Sequence, residues 1–335
     1  LEEGLINKRW LQAMVTVPSL AEGEWQQLDG ITKWLIASRA SVLLMTFMSA
    51  ALGGLLAARY GDFQVGAWLL CTLGLLLAHA TNNLLNDYTD SRRGIDEGNY
   101  FRNQYGVHVL EDGLLSPSEL MRYIVLTGAA ALVVGAWLIG LRGGMTAALM
   151  LAGAFFVLFY TWPLKYLGLG EPAVLLVWGP LMVGGTCYVI SGVWNETIVW
   201  LSLLYALGPT CVLFGKHIDK LELDRSKGVR TLPVMLGERL SRRCVQGMLI
   251  LQYLGCLLLV VTGQEHWILL AVFLALPVLI KHLKIFTAKR PETRPAYFPE
   301  NLWPLWFAPN AFAHTRRFTP LFIGALLASV VIQSV

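Results

Sequence analysis

Residues 65–96 read VGAWLLCTLGLLLAHATNNLLNDYTDSRRGID. The first half is apolar and carries no charged side chain. The second half then gathers Asp87, Asp90 and Asp96 beside Arg92 and Arg93. An apolar run of this length has no face to offer water, and it is the right length to cross a lipid bilayer. A membrane span near 65–86 is therefore expected, with a polar cluster at its end. The rest of the chain repeats the pattern: 56% of its 335 residues are hydrophobic and 14% are charged, and the mean hydropathy is +0.56. Soluble domains carry about 25% charged residues. Lipid gives the backbone no hydrogen-bond partner, so each span must be helical and the fold class is an all-α polytopic membrane protein.

Working outward, nine candidate spans lie near 35–58, 65–86, 121–141, 144–163, 172–193, 197–216, 246–263, 266–281 and 318–334. The eighth is short and contains Pro277, a pattern compatible with a tilted or re-entrant helix. Residues 1–30 are mixed and polar with no signal-peptide core, so no cleavage on export is expected. This gives an N-terminal cytoplasmic or interfacial segment, 1–33, and a transmembrane domain, 34–335. The five cysteines are scattered, with no CxxC pair, and read as small apolar packing residues rather than redox or zinc ligands.

Charge checks the count. With nine spans, every Lys and Arg except Arg59 and Arg142 falls with the N-terminus and the even-numbered loops. The positive-inside rule puts that side in the cytoplasm, as expected of a protein of the inner (cytoplasmic) membrane. The net charge of +4 is then topology charge with some attraction to anionic lipid, and it calls for no nucleic-acid partner.

Two stretches on the cytoplasmic side concentrate carboxylates at the end of a span: Asn83 to Asp96, and KHIDKLELDRSKGVRTLPV from Lys216 to Val234. In the first, Asn83, Asn86, Asp87 and Asp90 are spaced by three and four, which puts their oxygens on one helical face. Hard oxygen ligands at a membrane-buried helix end suit Mg²⁺, which accepts phosphate oxygens to complete its shell. Gly94 can end the helix and return Asp96 to the same site. The bland alternative is that these acids cap loops and pair with Arg92, Arg93 and Arg225. Two acidic clusters among basic residues are also a device for holding a diphosphate, with Arg102, Lys165 and Arg225 as candidates for its remaining oxygens.

At these residues the chain resembles the UbiA superfamily of intramembrane prenyltransferases. It is most like the MenA branch, which prenylates 1,4-dihydroxy-2-naphthoate in menaquinone biosynthesis. That branch's first motif, N-x-x-N-D-Y-x-D-x-x-x-G-x-D, is matched by Asn83, Asn86, Asp87, Tyr88, Asp90, Gly94 and Asp96. A second match runs from Tyr160 through Pro163, Tyr166, Gly168, Gly170, Glu171 and Gly185 to Tyr188, and EDGLLSPSEL from Glu111 is a third. The resemblance implies a nine-helix bundle whose central cavity is capped by cytoplasmic loops. It implies Mg²⁺ held by Asn86, Asp87, Asp90 and Asp96, with Asp219 and Asp224 opposite. The donor would be a prenyl diphosphate, bound by Asn83, Arg102, Lys165 and Arg225, with Tyr160 and Lys165 beside it. Asp90, Asp224, Lys165 and Tyr160 are the expected catalytic set, and the acceptor a naphthoate-type ring.

The second acidic motif departs from the family's D-x-x-x-D. Arg225, Gly228, Thr231 and Leu232 follow as they should, but Asp219 lies five residues before Asp224. On an unbroken helix the two would be about 140° apart. Either a one-residue bulge realigns Asp219, or Glu222 stands in for it. Where the MenA branch has a basic-asparagine pattern, this chain has GKHID. His79 and His217, near the two motifs, read either as supporting partners or as packed histidines. Two other functions fit the same features: an enzyme that cyclises its prenyl diphosphate, and a cation-binding transporter, although no internal repeat supports the latter.

Overall fold

A computed structural model describes residues 3–15, 18, 20, 23–97 and 107–333. Its helices are α1 (Glu3–Val15), α2 (Gly30–Ala37), α3 (Ala40–Tyr60), α4 (Val65–Arg92), α5 (Pro117–Arg142), α6 (Gly144–Phe159), α7 (Gly170–Ser191), α8 (Glu196–Asp219), α9 (Leu221–Ser226), α10 (Leu232–Leu236), α11 (Glu238–Val261), α12 (Trp267–Thr287) and α13 (Phe307–Gln333). Eight of these are long and apolar enough to cross a membrane, and α6, at 16 residues, is a shorter apolar helix. The protein is all-helical across the described residues, and each of the nine expected spans coincides with an apolar helix. Apolar side chains such as Leu126, Val133, Leu151, Val261 and Leu274 are exposed, as they must be where the solvent is lipid.

The chain divides into two compact units. The first comprises residues 1–51 and 66–162, the second residues 52–65 and 163–335. In the first unit the core joins the N-terminal segment to α4 and α5: Ala13, Trp25, Leu28, Leu35, Ile36, Ala80, Leu84, Leu120 and Ile124 are buried together. Asp29 caps α2 by accepting from the backbone N–H of Ile31 and Thr32. The Thr32 hydroxyl on Asp29 is the main cause holding its carboxyl below the ordinary value. Ser116 and Glu119 form a reciprocal capping box at the start of α5, with Pro117 in the first turn, as that spacing dictates.

In the second unit α8 is the central helix, with 72% of its apolar window buried. Its glycines explain how closely it is packed. A Cβ on Gly215 would lie 2.7 Å from the backbone of Phe307 and Ala308, so only glycine allows the start of α13 to rest there. One turn later Asp219 lies on the same face. Two prolines mark departures from regular helix. Pro180 sits within a π-helical stretch of α7, Val177–Gly184, because proline removes a donor and crowds the preceding turn. Ahead of Pro277, α12 begins as a 3₁₀ segment, Trp267–Ala275, before continuing as α-helix. Arg59 and Glu265, two of the few charges expected on the far side, form a buried ion pair. Tyr60 Oη donates to the same carboxylate at 2.7 Å and Arg59 donates to Ser329 Oγ at 3.0 Å.

Candidate functional site

α4 carries the first motif into the interior of its unit. Asn83, Asp87 and Asp90 are all buried, with Asp87 only 2% exposed. The spacing of three and four brings their side chains to one face, and the contacts follow. Asn86 Nδ2 donates to Asp90 Oδ2 at 3.1 Å and to Thr161 Oγ1 at 3.2 Å. Asn83 Nδ2 donates to the Ser38 carbonyl at 2.9 Å, which fixes the junction between α2 and α3. At that junction Arg39 adopts a left-handed backbone, φ +54°, a conformation that costs a non-glycine residue about 1–2 kcal/mol. The consequence is that its guanidinium reaches the Asp87 carboxylate and donates to Asn86 Oδ1 at 3.2 Å. Arg39 was counted in the sequence as one more topology charge. The signal that it is more is its place as the lone charge in WLIASRASVLLM.

α4 ends as its sequence requires. Gly94 takes φ +67°, and Ile95 N–H returns to the Asp90 carbonyl at 3.0 Å, the glycine-terminated closure expected there. Asp96 is buried and engaged with His108, Oδ2 to Nε2 2.8 Å. His108 in turn is held by Asp112 Oδ2, which accepts from its backbone N–H at 2.8 Å. The EDGLL stretch therefore supports the loop that carries Asp96.

In the second unit the chain resolves the irregular spacing by breaking the helix. α8 ends at Asp219, Lys220 leaves helical geometry, and α9 starts at Leu221. Of the two alternatives, a bulge within a continuous helix does not form. Asp219 accepts from Phe307 N–H at 3.0 Å and Ala308 N–H at 2.9 Å, so both oxygens cap α13. Asp224 is buried on the following short helix, 3.8 Å from Lys220 Nζ. Gly228, at φ +70°, closes α9 with Val229 N–H on the Asp224 carbonyl. Glu222 points outward and pairs with Arg225 at 3.0 Å, the two side chains being 80% and 53% exposed. Glu222 therefore does not stand beside Asp219.

His217 and Glu171 form a buried pair, Nδ1 to Oε1 2.6 Å, and Glu171 Oε2 is buried with no hydrogen-bond partner among the described residues. Glu171 stands in the first turn of α7. Its position follows from the Tyr166–Glu171 turn, where Gly168 at φ +71° lies against Arg230 and Leu232. Lys165 lies in the preceding turn, its ammonium 5.8 Å from the Tyr166 ring centre. Tyr160 follows the last turn of α6. His79 bonds Thr46 Oγ1 through Nδ1 at 2.7 Å, a packed histidine. Arg102 lies outside the described residues.

The donor chemistry of the first motif fits a hard divalent ion: Asn86, Asp87 and Asp90 bring an amide oxygen and two buried carboxylates to one face. Asp219 fits less well, both of its oxygens being engaged. No three His, Cys, Asp or Glu side chains form a ready-made metal cluster among the described residues.

Comparison with known proteins gives a consistent result. A family model described as the UbiA prenyltransferase family matches residues 47–307. The 1,4-dihydroxy-2-naphthoate octaprenyltransferase of Escherichia coli (strain K12) is 27% identical over 272 residues, covering 77% of this chain and 86% of that protein. The 2-carboxy-1,4-naphthoquinone phytyltransferase of Synechocystis is 28% identical over 264 residues, 75% of this chain and 82% of its own length. Among solved structures, a UbiA homolog from Archaeoglobus fulgidus bound to GPP and Mg²⁺ superposes with a TM-score of 0.61. That match spans 89% of this chain and 99% of the homolog; at 16% identity it shows the shared fold.

Proposed function

The chain belongs to the UbiA prenyltransferase family, and from that premise we propose that it transfers a prenyl chain from a prenyl diphosphate to 1,4-dihydroxy-2-naphthoate. The prenyltransferase class follows from the family and from relatives such as the octaprenyltransferase. The naphthoate acceptor is our reading, and the printed activities of two relatives support it. The observation that carries it in this chain is the face of α4 that sets buried Asp87 and Asp90 beside half-buried Asn86 at the end of a membrane helix. Ionisable groups at membrane depth are costly and are kept where they act.

In this reading Asn86, Asp87 and Asp90, with Asp224, are the ligands of Mg²⁺. What the ion supplies when bound is positive charge against the diphosphate oxygens. Asp219 acts instead through the fold, by seating α13, and Asp96 by holding the loop through His108. Arg39 neutralises Asp87 and donates to diphosphate oxygens when that carboxylate is engaged elsewhere. Lys165 and Arg102 donate to the leaving group as charge develops on it, which lowers the barrier. Arg225 acts there only by leaving Glu222, and Tyr160 lines the reacting end of the donor. Asn83 serves by holding the Ser38–Arg39 junction rather than by touching diphosphate.

The bond balance is simple. The allylic C–O bond breaks and its electron pair leaves with diphosphate. The ring carbon bearing the carboxylate forms the new C–C bond, and CO₂ departs, returning its electron pair to the ring. Apolar surroundings keep water from the allylic cation. The charge asymmetry of the loops supports a cytoplasmic side for this chemistry.

The test uses purified protein, Mg²⁺, a panel of prenyl diphosphates and the naphthoate, with diphosphate release and product mass followed together. Prenylated naphthoquinol is expected, with turnover lost in excess EDTA and restored by Mg²⁺. Full turnover in EDTA overturns the metal assignment. Diphosphate release with a cyclic hydrocarbon and no ring product overturns the transferase reading.

A further inference from the structure

One turn before the first motif, α4 carries an imidazole on the same face, His79. At roughly 100° per residue, His79, Asn86 and Asp90 fall within about 40° of one another. Contacts inside the first unit bound this sector on both sides. Asn82 Nδ2 donates to the Val157 carbonyl of α6 at 3.1 Å. On the other side Asn83 and Asp87 reach Ser38 and Arg39, just ahead of α3. His79 is half-buried, and its Nδ1 lies 2.7 Å from Oγ1 of Thr46, a fully buried hydroxyl on α3. That contact fixes the rotation of the ring.

The order of side chains along this sector matches the order of groups in a prenyl diphosphate: anionic head, reacting carbon, apolar tail. Asn86, Asp87 and Asp90 stand at the polar end of α4. His79 comes seven residues before Asn86 and eleven before Asp90, about 10 and 16 Å along the helix axis. Deeper still, Leu75 and Leu76 are apolar, and Thr72 turns its hydroxyl onto the Trp68 carbonyl at 2.7 Å. A head held at the metal ligands leaves His79 past the diphosphate and before the tail. That is the level at which an acceptor ring must lie, because the attacking carbon approaches the allylic carbon to about 3–3.5 Å.

Resting on the naphthoate reading above, we propose that His79 selects the acceptor by hydrogen-bonding the ring hydroxyl remote from its carboxylate. The other hydroxyl has an acceptor within its own molecule, the adjacent carboxylate. The remote one needs a protein group once water is excluded. With Nδ1–H donating to Thr46, a neutral imidazole accepts from that hydroxyl at Nε2. The bond orients the ring so that the carboxylate-bearing carbon meets the allylic carbon, and Thr46 acts as a positioning residue through His79. Discrimination follows, since a site built around a substrate hydroxyl binds the analogue without it more weakly.

Steady-state kinetics of the purified chain with a prenyl diphosphate and Mg²⁺, run anaerobically, tests this. His79→Leu should raise the KM for 1,4-dihydroxy-2-naphthoate about tenfold, while the KM for the donor and the affinity for Mn²⁺ stay within about twofold of the parent. The competitor 1-hydroxy-2-naphthoate lacks only the remote hydroxyl. The parent should bind it about tenfold more weakly than the dihydroxy ring, and His79→Leu should bind the two alike. His79→Gln, which keeps an acceptor oxygen, should recover most of the loss. Thr46→Val should raise the acceptor KM about threefold, and it carries the same test should His79→Leu fail to fold. Circular dichroism confirms that each variant is helical. An unchanged acceptor KM in His79→Leu overturns the inference. So does a parallel rise in the donor KM, which marks a structural or diphosphate role, or a preference for the dihydroxy ring that survives in the variant. A parent that gives no ring product with the naphthoate overturns the underlying reading and this inference with it, so the two failures are told apart.

Discussion

Replacing Asp219 by alanine removes two hydrogen-bond acceptors from the start of α13. In the folded chain Asp219 accepts from Phe307 N–H at 3.0 Å and from Ala308 N–H at 2.9 Å. It does so where it is 7% exposed, so water cannot take its place freely. Losing an N-cap costs about 0.5–2 kcal/mol, and a buried donor left without an acceptor about 1–3 kcal/mol. These overlap, and the tight seat of α13 on Gly215 leaves little room to relax, so about 2–3 kcal/mol is expected. For a unit of this size that is a drop of about 5–10 °C in melting temperature. Asp219→Asn keeps one acceptor and turns an NH₂ group toward the other N–H, so about half that loss is expected. The assay is thermal unfolding in detergent, followed by tryptophan fluorescence, alongside Mn²⁺ binding. Asp219→Ala should bind Mn²⁺ as tightly as the parent below its transition, whereas Asp224→Ala should not. A normal melting curve with lost Mn²⁺ binding refutes the capping argument and makes Asp219 a ligand.

Three further outcomes follow from the same contacts. Asp90→Ala should abolish turnover while the protein stays helical and monodisperse, since Asp90 is proposed as a ligand and its carboxylate accepts from Asn86 on the same helical face; normal turnover would return the first motif to a structural role. Arg39→Ala should lower stability by about 2–3 kcal/mol in EDTA by leaving the buried Asp87 carboxylate without its cation, and added Mg²⁺ should recover part of that loss; equal melting of variant and parent in EDTA counts against the pair. Asp29, whose carboxyl is held below its ordinary 3.8 chiefly by the Thr32 hydroxyl, contributes stability that is fully present above that value and is lost as pH falls through the lower folded value. Asp29→Asn should therefore be less stable than the parent at pH 6, and the gap should close in acid; a gap that is constant with pH would show that the cap does not depend on charge.

Much of this architecture is legible in the sequence because lipid imposes a simple rule: runs of apolar residues become helices. The limits of the rule are equally physical. α11 begins at Glu238 and not near 246, because ERLSRRC makes about two polar turns that continue the helix beyond the apolar run. α13 begins at Phe307 and not near 318. Its first turns contain Asn310, His314 and Thr315, which lower the hydropathy. Yet His314 is fully buried and bonded to Tyr253 Oη at 3.0 Å. The first motif was readable because its ligands are spaced within one helix. The second was not, since its geometry depends on a helix break at Lys220 and on a cap 88 residues away. Arg39 escaped notice for a related reason: what makes it a partner of Asp87 is a left-handed backbone at the junction of two helices, which no spacing encodes.

The central claim is the acceptor, and a competition at equal concentration between 1,4-dihydroxy-2-naphthoate and 4-hydroxybenzoate tests it most directly, with a long-chain prenyl diphosphate and Mg²⁺ present and products identified by mass. The account predicts prenylated naphthoquinol as the dominant product, formed with loss of CO₂ and absent with Asp90→Ala. Product exclusively from 4-hydroxybenzoate would contradict it.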